Sequence, residues 1–283
     1  MKDTVPIETG FAEVNGTRLY YEMAGSGHPL VLSHSAVSHH RLWDDQFLAF
    51  AQHYRVIRYD LRGFGSSGLI KEPYSQREDL FALLTYLGIQ KTYLLGISMS
   101  SMIALDFTLE HPDMVDALIS ASCGLSGHQS PEEAHGTWPA DWLAFFEAKQ
   151  QGNVPRMAEV MLHYWIDGSK RPVEQVDPIM RERVREMLLH NYALANDPDN
   201  WEMPLPLSPP AVNRLSEIQV PTLLIVGDKD IDDVLTVADI LATGIKGARK
   251  VVIPNTTHHP NMEQPAIFNQ AVLDFLAQLP ANV

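Results

Sequence analysis

Two kinds of apolar pattern alternate along this chain. Nearly continuous apolar runs at residues 29–33, 54–59, 93–95, 115–120, 222–226 and 250–253 have the length of strands buried on both faces. Stretches at 41–51, 76–87, 99–109, 234–242 and 266–278 carry their apolar residues at helical spacing instead. Strand followed by helix, several times over, predicts a parallel sheet with helices on its faces. Ahead of it, runs at 11–14 and 18–23 joined across Asn15-Gly16-Thr17 predict a hairpin.

The alternation stops near residue 124. From there to about residue 212 helix follows helix, at 141–150, 154–166 and 177–195, and aromatics and methionines crowd the segment. Strand-helix order then resumes. The pattern therefore predicts one α/β core, residues 1–124 and 213–283, with a helical cap inserted at 125–212. The run P-L-P-L-S-P-P at 204–210 is a stiff return linker, and no internal repeat is present.

One junction in that pattern carries chemistry. Residues 92–101 read T-Y-L-L-G-I-S-M-S-S, so Ser98 stands between an apolar strand and an apolar helix that ends at His111-Pro112. A strand-turn-helix with small residues two before and two after a serine pushes the hydroxyl above the sheet, the nucleophile-elbow arrangement. Gly96 fits it; the second small residue is Ser100, where glycine is usual.

A serine hydroxyl is a poor nucleophile at neutral pH and needs a histidine base, itself held by a carboxylate. Of twelve histidines, His258 and its neighbour His259 follow the last strand, where a loop reaches the sheet edge near the elbow. For the acid, the loop G-D-K-D-I-D-D after residues 222–226 offers Asp228, Asp230, Asp232 and Asp233. Asp230 is the choice: it lies far enough past the strand to turn back towards the histidine, whereas Asp228 sits where it would cap the turn. An acid after residues 115–120 is closed off, because Ala121-Ser122-Cys123-Gly124 holds no carboxylate. Two N–H donors must also face the developing oxyanion. Met99, first in the elbow helix, supplies one, and Ala36, in the loop H-S-A-V-S after residues 29–33, supplies the other. His34 orients that loop, and Ser35 occupies a usual glycine position. His34, His39 and His40 lack metal-ligand spacing, so no metal or cofactor is expected.

Composition narrows the partners. A net charge of −14 disfavours nucleic acid and anionic membranes. The single cysteine, Cys123, excludes an intrachain disulfide framework and reads as a small buried residue. The start, M-K-D-T-V-P-I-E-T-G, has no apolar signal region, and no later run is long enough to span a bilayer, so a soluble, cytoplasmic protein is expected, monomer or homodimer.

Taken together, these motifs, with D-L-R-G-F-G-S-S at 60–67, resemble the serine hydrolases of the α/β-hydrolase superfamily. The resemblance implies Ser98 as nucleophile, His258 as base through its spacing to Pro260 and Glu263, Asp230 as acid, and Ala36 with Met99 as oxyanion hole. The stretch N-M-E-Q-P is similar to 3-oxoadipate enol-lactonases, and G-I-S-M-S-S-M-I to hydrolase-like signal receptors. The expected function is hydrolysis of a small-molecule carboxylic ester or lactone through an acyl-enzyme. Perhydrolysis on the same triad and a slow-turnover receptor are the alternatives. In the cap, Trp138, Trp142, Phe145, Phe146, Met157, Met161, Tyr164, Trp165 and Met187 recur at helical spacing. Most are expected to pack; Trp138, Trp142, Phe146, Met161, Tyr164 and Trp165 are the candidates to line an apolar substrate pocket.

Overall fold

The computed structural model describes residues 5–69, 73–130, 134–195 and 204–279. Its strands are β1 (Ile7–Val14), β2 (Thr17–Ala24), β3 (Pro29–Ser33), β4 (Arg55–Tyr59), β5 (Thr92–Ile97), β6 (Val115–Ala121), β7 (Thr222–Gly227) and β8 (Arg249–Ile253). They form one eight-stranded sheet in the order β1-β2-β4-β3-β5-β6-β7-β8. β2 pairs antiparallel with both β1 and β4, and every other pairing is parallel. The expected hairpin is longer than its apolar core, and Asn15 and Gly16 both take positive φ, as a tight two-residue turn requires.

Side chains alternate between two apolar layers. On β5, Tyr93, Leu95 and Ile97 face one layer and Leu94 the other. The first layer is closed by Phe47 and Phe50 of α1 (Asp44–Phe50) and by Phe268 and Val272 of the C-terminal helix Pro265–Leu276. The second is closed by α2 (Gln76–Tyr86), α3 (Met99–Glu110) and the helix Asp232–Gly244. This is the α/β-hydrolase fold expected from the sequence, a mostly parallel sheet flanked by helices.

Between β6 and β7 every regular element among the described residues is helical, notably Ala140–Gln150, Val154–Leu162 and Pro178–Leu194. Their buried residues Phe145, Met161, Val184 and Met187 share one apolar cluster with Leu32, Ile97, Ile119 and Ile225 of the sheet, so this segment has no core of its own. Two helices depart from expectation. The one predicted at 41–51 starts as a 3₁₀ turn, His40–Trp43, before α1. The one predicted at 154–166 is α-helical only to Leu162 and continues as a π-helical turn, His163–Asp167, in which the Gly168 N–H reaches the His163 carbonyl at 3.0 Å.

Chain direction decides where chemistry can sit. After β3 the chain adds β4 on one side, then crosses to lay β5 on the other, so the winding reverses between β3 and β5. The crevice outside the carboxyl ends of the strands at such a reversal is where α/β sheets bind ligands. At that point α3 approaches β5 so closely that a Cβ on Gly96 would lie 2.1 Å from the Ser100 carbonyl oxygen. Both partners are backbone and neither can swing away. Gly96→Ala should therefore cost more than about 2 kcal/mol of stability, measured by urea unfolding, with loss of the native near-ultraviolet signal around the elbow.

Candidate active site

Ser98 occupies the turn between β5 and α3 with φ 58° and ψ −120°, a conformation that costs a side-chain-bearing residue about 1–3 kcal/mol. The surroundings impose it. The Ser98 N–H donates to the Ala121 carbonyl at 2.9 Å, and the Ser98 carbonyl accepts from Ser101 N–H at 3.0 Å. The hydroxyl is thereby held 2.7 Å from His258 Nε2. On the far side of the ring, His258 Nδ1 lies 3.1 Å from each carboxylate oxygen of Asp230. An ionised carboxylate only accepts, so Nδ1 carries the proton and Nε2 presents its lone pair to Ser98. The His258 and Asp230 side chains are 2% and 1% exposed, which strengthens this pairing over one in water.

The structure separates the competitors that the sequence left open. Asp232 pairs with Lys170 at 2.7 Å, Asp233 with His128 at 2.9 Å, and Asp228 with Lys229 at 3.5 Å. His259 turns the other way, its Nε2 3.0 Å from Ser35 Oγ.

Three contacts fix the His258 loop. A Cβ on Gly227, at the end of β7, would lie 2.2 Å from the Thr256 carbonyl oxygen, so only glycine lets the loop cross there. Ser122 Oγ donates to the His258 carbonyl at 2.8 Å. From the helical segment, Arg171 makes an ion pair with Glu263, each 6% exposed. Glu263 in turn accepts from the Thr257 N–H at 2.8 Å, and Arg171 also donates to the Ile166 carbonyl at 2.7 Å and the Asp167 carbonyl at 3.1 Å. Burial still pushes the Glu263 carboxyl above its ordinary value. This pair and the π-turn seat Trp165 over the imidazole of His258, with ring centroids 4.1 Å apart.

The oxyanion candidates flank this assembly. The Met99 N–H belongs to the first turn of α3, which has no intrahelical acceptor. Ala36 is exposed, in a tight turn just after β3. His34 is fully buried; its Nε2 accepts from Leu61 N–H at 3.0 Å, so Nδ1 carries the proton that it donates to the Ser35 carbonyl at 2.8 Å. Ser100 Oγ donates to the His34 carbonyl, a contact that glycine in this position would not make. Asn191, from Pro178–Leu194, donates to the Ser38 carbonyl at 2.8 Å and accepts from Gly65 N–H at 3.1 Å. Arg171, Asn191 and the His259–Ser35 contact were not anticipated. The only sequence signals for them were the doubled histidine and the serine in a glycine position.

The aromatic candidates form a line rather than a cup. Trp138, 47% exposed, touches Trp142, then come Tyr164 and Trp165, with centroid separations of 6.1, 6.1 and 4.7 Å, and Trp165 meets His258. Phe146 packs beside Trp142 at 5.9 Å. Met161 stands apart, 2% exposed in the shared core. His39, His40 and Asp60 bring ligand-capable atoms within 4.8 Å of one another, but His40 Nδ1 lies 2.9 Å from Asp60, whose carboxylate also accepts from His40 N–H at 2.7 Å and Ser66 N–H at 2.8 Å.

Comparison with known proteins agrees with this architecture. A family model described as the alpha/beta hydrolase fold matches residues 28–265. A 2-hydroxy-6-oxononadienedioate/2-hydroxy-6-oxononatrienedioate hydrolase of Paraburkholderia phymatum is 29% identical over 271 residues, 92% of this chain and 91% of that protein. A thermophilic esterase from Thermogutta terrifontis superposes with a TM-score of 0.78 at 26% identity, covering 96% of this chain and 99% of that one. An enol-lactonase from Burkholderia xenovorans has the same fold, with a TM-score of 0.78 at 24% identity over 95% of this chain and 100% of that one.

The buried histidines set a pH dependence of stability. Burial pushes His34 down to about 4, His39 to about 3 and His259 well below the usual value. Unfolded, each binds a proton below about pH 6.5, whereas folded it stays neutral, so stability falls as pH drops from 6.5 towards 4. Each contributes a slope of about 1.4 kcal/mol per pH unit. Asp106 opposes them: burial beside Ser126 pushes it up to about 6, so the folded state takes its proton first and gains below that pH. The urea midpoint should fall between pH 7 and pH 5, and Asp106→Asn should steepen that fall. A flat profile would contradict this assignment.

Proposed function

Because the chain belongs to the α/β-hydrolase fold family, we propose that it is a serine hydrolase that cleaves a carboxylic ester or lactone through an acyl-enzyme, without a cofactor. The observation that carries this reading is the continuous chain Ser98 Oγ, His258 Nε2, His258 Nδ1, Asp230, with every link at 3.1 Å or less.

In this mechanism Ser98 Oγ attacks the carbonyl carbon as its proton passes to His258 Nε2. Asp230 stabilises the imidazolium and keeps Nε2 facing the serine. The oxyanion of the tetrahedral intermediate is held by the N–H groups of Met99 and Ala36, a contribution of about 3 kcal/mol per donor. Collapse expels the alcohol, or opens the lactone, with the proton returned from His258. Water, deprotonated at the same Nε2, then attacks the acyl-serine, and collapse of the second tetrahedral intermediate releases the acid and restores Ser98.

The helical segment 125–212 serves as a cap, and the ring line from Trp138 to Trp165 gives the approach to Ser98 an apolar wall. An apolar acyl group is therefore favoured. One relative is named for oxo-dienedioate substrates, so such a diacid belongs beside esters in any substrate panel.

The test uses p-nitrophenyl esters of rising chain length, several lactones and a 6-oxo-dienedioate. Multiple turnover above about 1 s⁻¹ on an ester or lactone supports an enzyme of this class; a single turnover followed by arrest points to a receptor. A fluorophosphonate should label Ser98 alone, located by mass spectrometry. Ser98→Ala and Asp230→Asn should each lower kcat by about 10⁴-fold, the latter by presenting the wrong hydrogen-bond partner to Nδ1. Full activity in either variant would refute the mechanism.

A further inference from the structure

The doubled histidine His258-His259 and the serine in the glycine position of the 34–38 loop are explained by a single proton-ordered chain. Its members are all buried: Ser35, Ser38 and His259 each show 0% exposure. Ser35 Oγ lies 2.8 Å from Ser38 Oγ and 3.0 Å from His259 Nε2, and Ser38 Oγ donates to the Ser35 carbonyl at 3.2 Å.

One arrangement of hydrogens satisfies all three contacts at once. Ser38 has a single hydroxyl proton, given to the Ser35 carbonyl, so between the two hydroxyls Ser35 is the donor. Its own proton spent, Ser35 Oγ can only accept from His259, which places the His259 proton on Nε2. His259 Nδ1 is then a bare lone pair, and it is a buried atom with no hydrogen-bond partner among the described residues. An unpaired acceptor is more tolerable there than an unpaired N–H. The neutral ring this requires agrees with the strong downward push that burial exerts on His259.

The chain ends on a carbonyl that matters. The Ser35 carbonyl accepts three times: from His34 Nδ1 at 2.8 Å, from the Ser38 N–H at 3.2 Å and from Ser38 Oγ. That oxygen shares one planar trans peptide with the Ala36 N–H, so fixing its direction fixes the N–H in the opposite one. A flip of this peptide would break all three bonds and turn the donor away.

We propose that His259 and Ser35 are positioning residues that, by orienting the Ser38 hydroxyl onto the Ser35 carbonyl, help His34 and the Ser38 N–H lock the Ser35–Ala36 peptide with its N–H aimed at the oxyanion site. The tandem histidines thereby divide the work: His258 handles the proton and His259 helps hold the oxyanion donor. This inference rests on the serine-hydrolase reading with Ala36 as a donor.

The experiment compares Ser35→Ala, His259→Leu, His259→Gln and the double variant Ser35→Ala/His259→Leu in the full chain. Readouts are kcat and KM on p-nitrophenyl acetate, the Ki of phenylboronic acid, which forms a tetrahedral anionic adduct, and the melting temperature. Ser35→Ala and His259→Leu should lower kcat about 10- to 100-fold, with KM changed less than about threefold. The boronic acid should weaken by a comparable factor. The double variant should be little worse than the worse single one, because both break the same chain. His259→Gln, which keeps an N–H donor on a side chain of similar reach, should recover most of the loss. If His259→Leu fails to fold, Ser35→Ala carries the test alone, since it removes one buried oxygen and adds no bulk. Wild-type kcat and boronate affinity in a folded Ser35→Ala variant would overturn the proposal, as would strictly additive effects in the double variant. Wild-type protein that fluorophosphonate does not label at Ser98 would instead overturn the functional reading beneath it.

Discussion

The site depends on one close approach of backbone to backbone, where α3 leaves the end of β5 with no room for a side chain on Gly96. That contact forces the turn at Ser98 into positive φ and lifts the hydroxyl clear of the sheet. It also sets the problem the rest of the molecule solves. Because the central strands are parallel, the loops after β3, β4, β5, β6, β7 and β8 emerge on the same side and crowd together. Their peptide groups are buried with no ladder to join, and each needs a partner. Side chains supply them: Ser122 for the His258 carbonyl, Ser100 for His34, and Asn191 for Ser38 and Gly65. The carbonyls of His34, Ser38 and His258 are each tied down by a side chain from another part of the chain.

The helical segment is tied into this scheme by charge as well as by apolar packing. A buried ion pair such as Arg171–Glu263 adds little net stability over an apolar pair, since desolvation offsets most of the attraction. Removing one partner leaves the other stranded and costs about 3–5 kcal/mol. Its value here is geometric. Arg171 spends its donors on Ile166, Asp167 and Glu263, and Glu263 holds the residue before His258, so helix end and histidine loop keep one register. An apolar contact of equal area would have allowed sliding.

The sheet was legible in the sequence because strands buried on both faces write continuous apolar runs, and the flanking helices because one face of each is apolar. The elbow was legible because it needs small residues at fixed offsets around Ser98. The choice of His258 over His259 came only through the family resemblance, by spacing to Pro260 and Glu263, since adjacent loop residues share the same pattern and only the backbone path brings one of them to Ser98. Asp230 was inferred from loop position. Asp232 and Asp233 turned out to be engaged with Lys170 and His128, contacts that depend on packing distant in sequence, and Asp228 with its neighbour Lys229. The break at Leu162 was invisible for a different reason: the π-turn is only five residues long, too short for a change of period to register in the apolar pattern. The serines at 35 and 100 looked like departures from a pattern. In the fold each hydroxyl forms a hydrogen bond that glycine would leave out.

That π-turn makes the placement of Trp165 a matter of chain length rather than of residue chemistry. Closing Gly168 onto His163 spans five residues where an α-helix spans four, so the turn stores one residue without lengthening the axis. Deleting a single residue within 163–167 would return the stretch to regular helix and rotate what precedes it by about 100° relative to Arg171. The indole could then not lie on His258 while Arg171 still reached Glu263. A one-codon gap would therefore re-index the whole contact between the helical segment and the His258 loop.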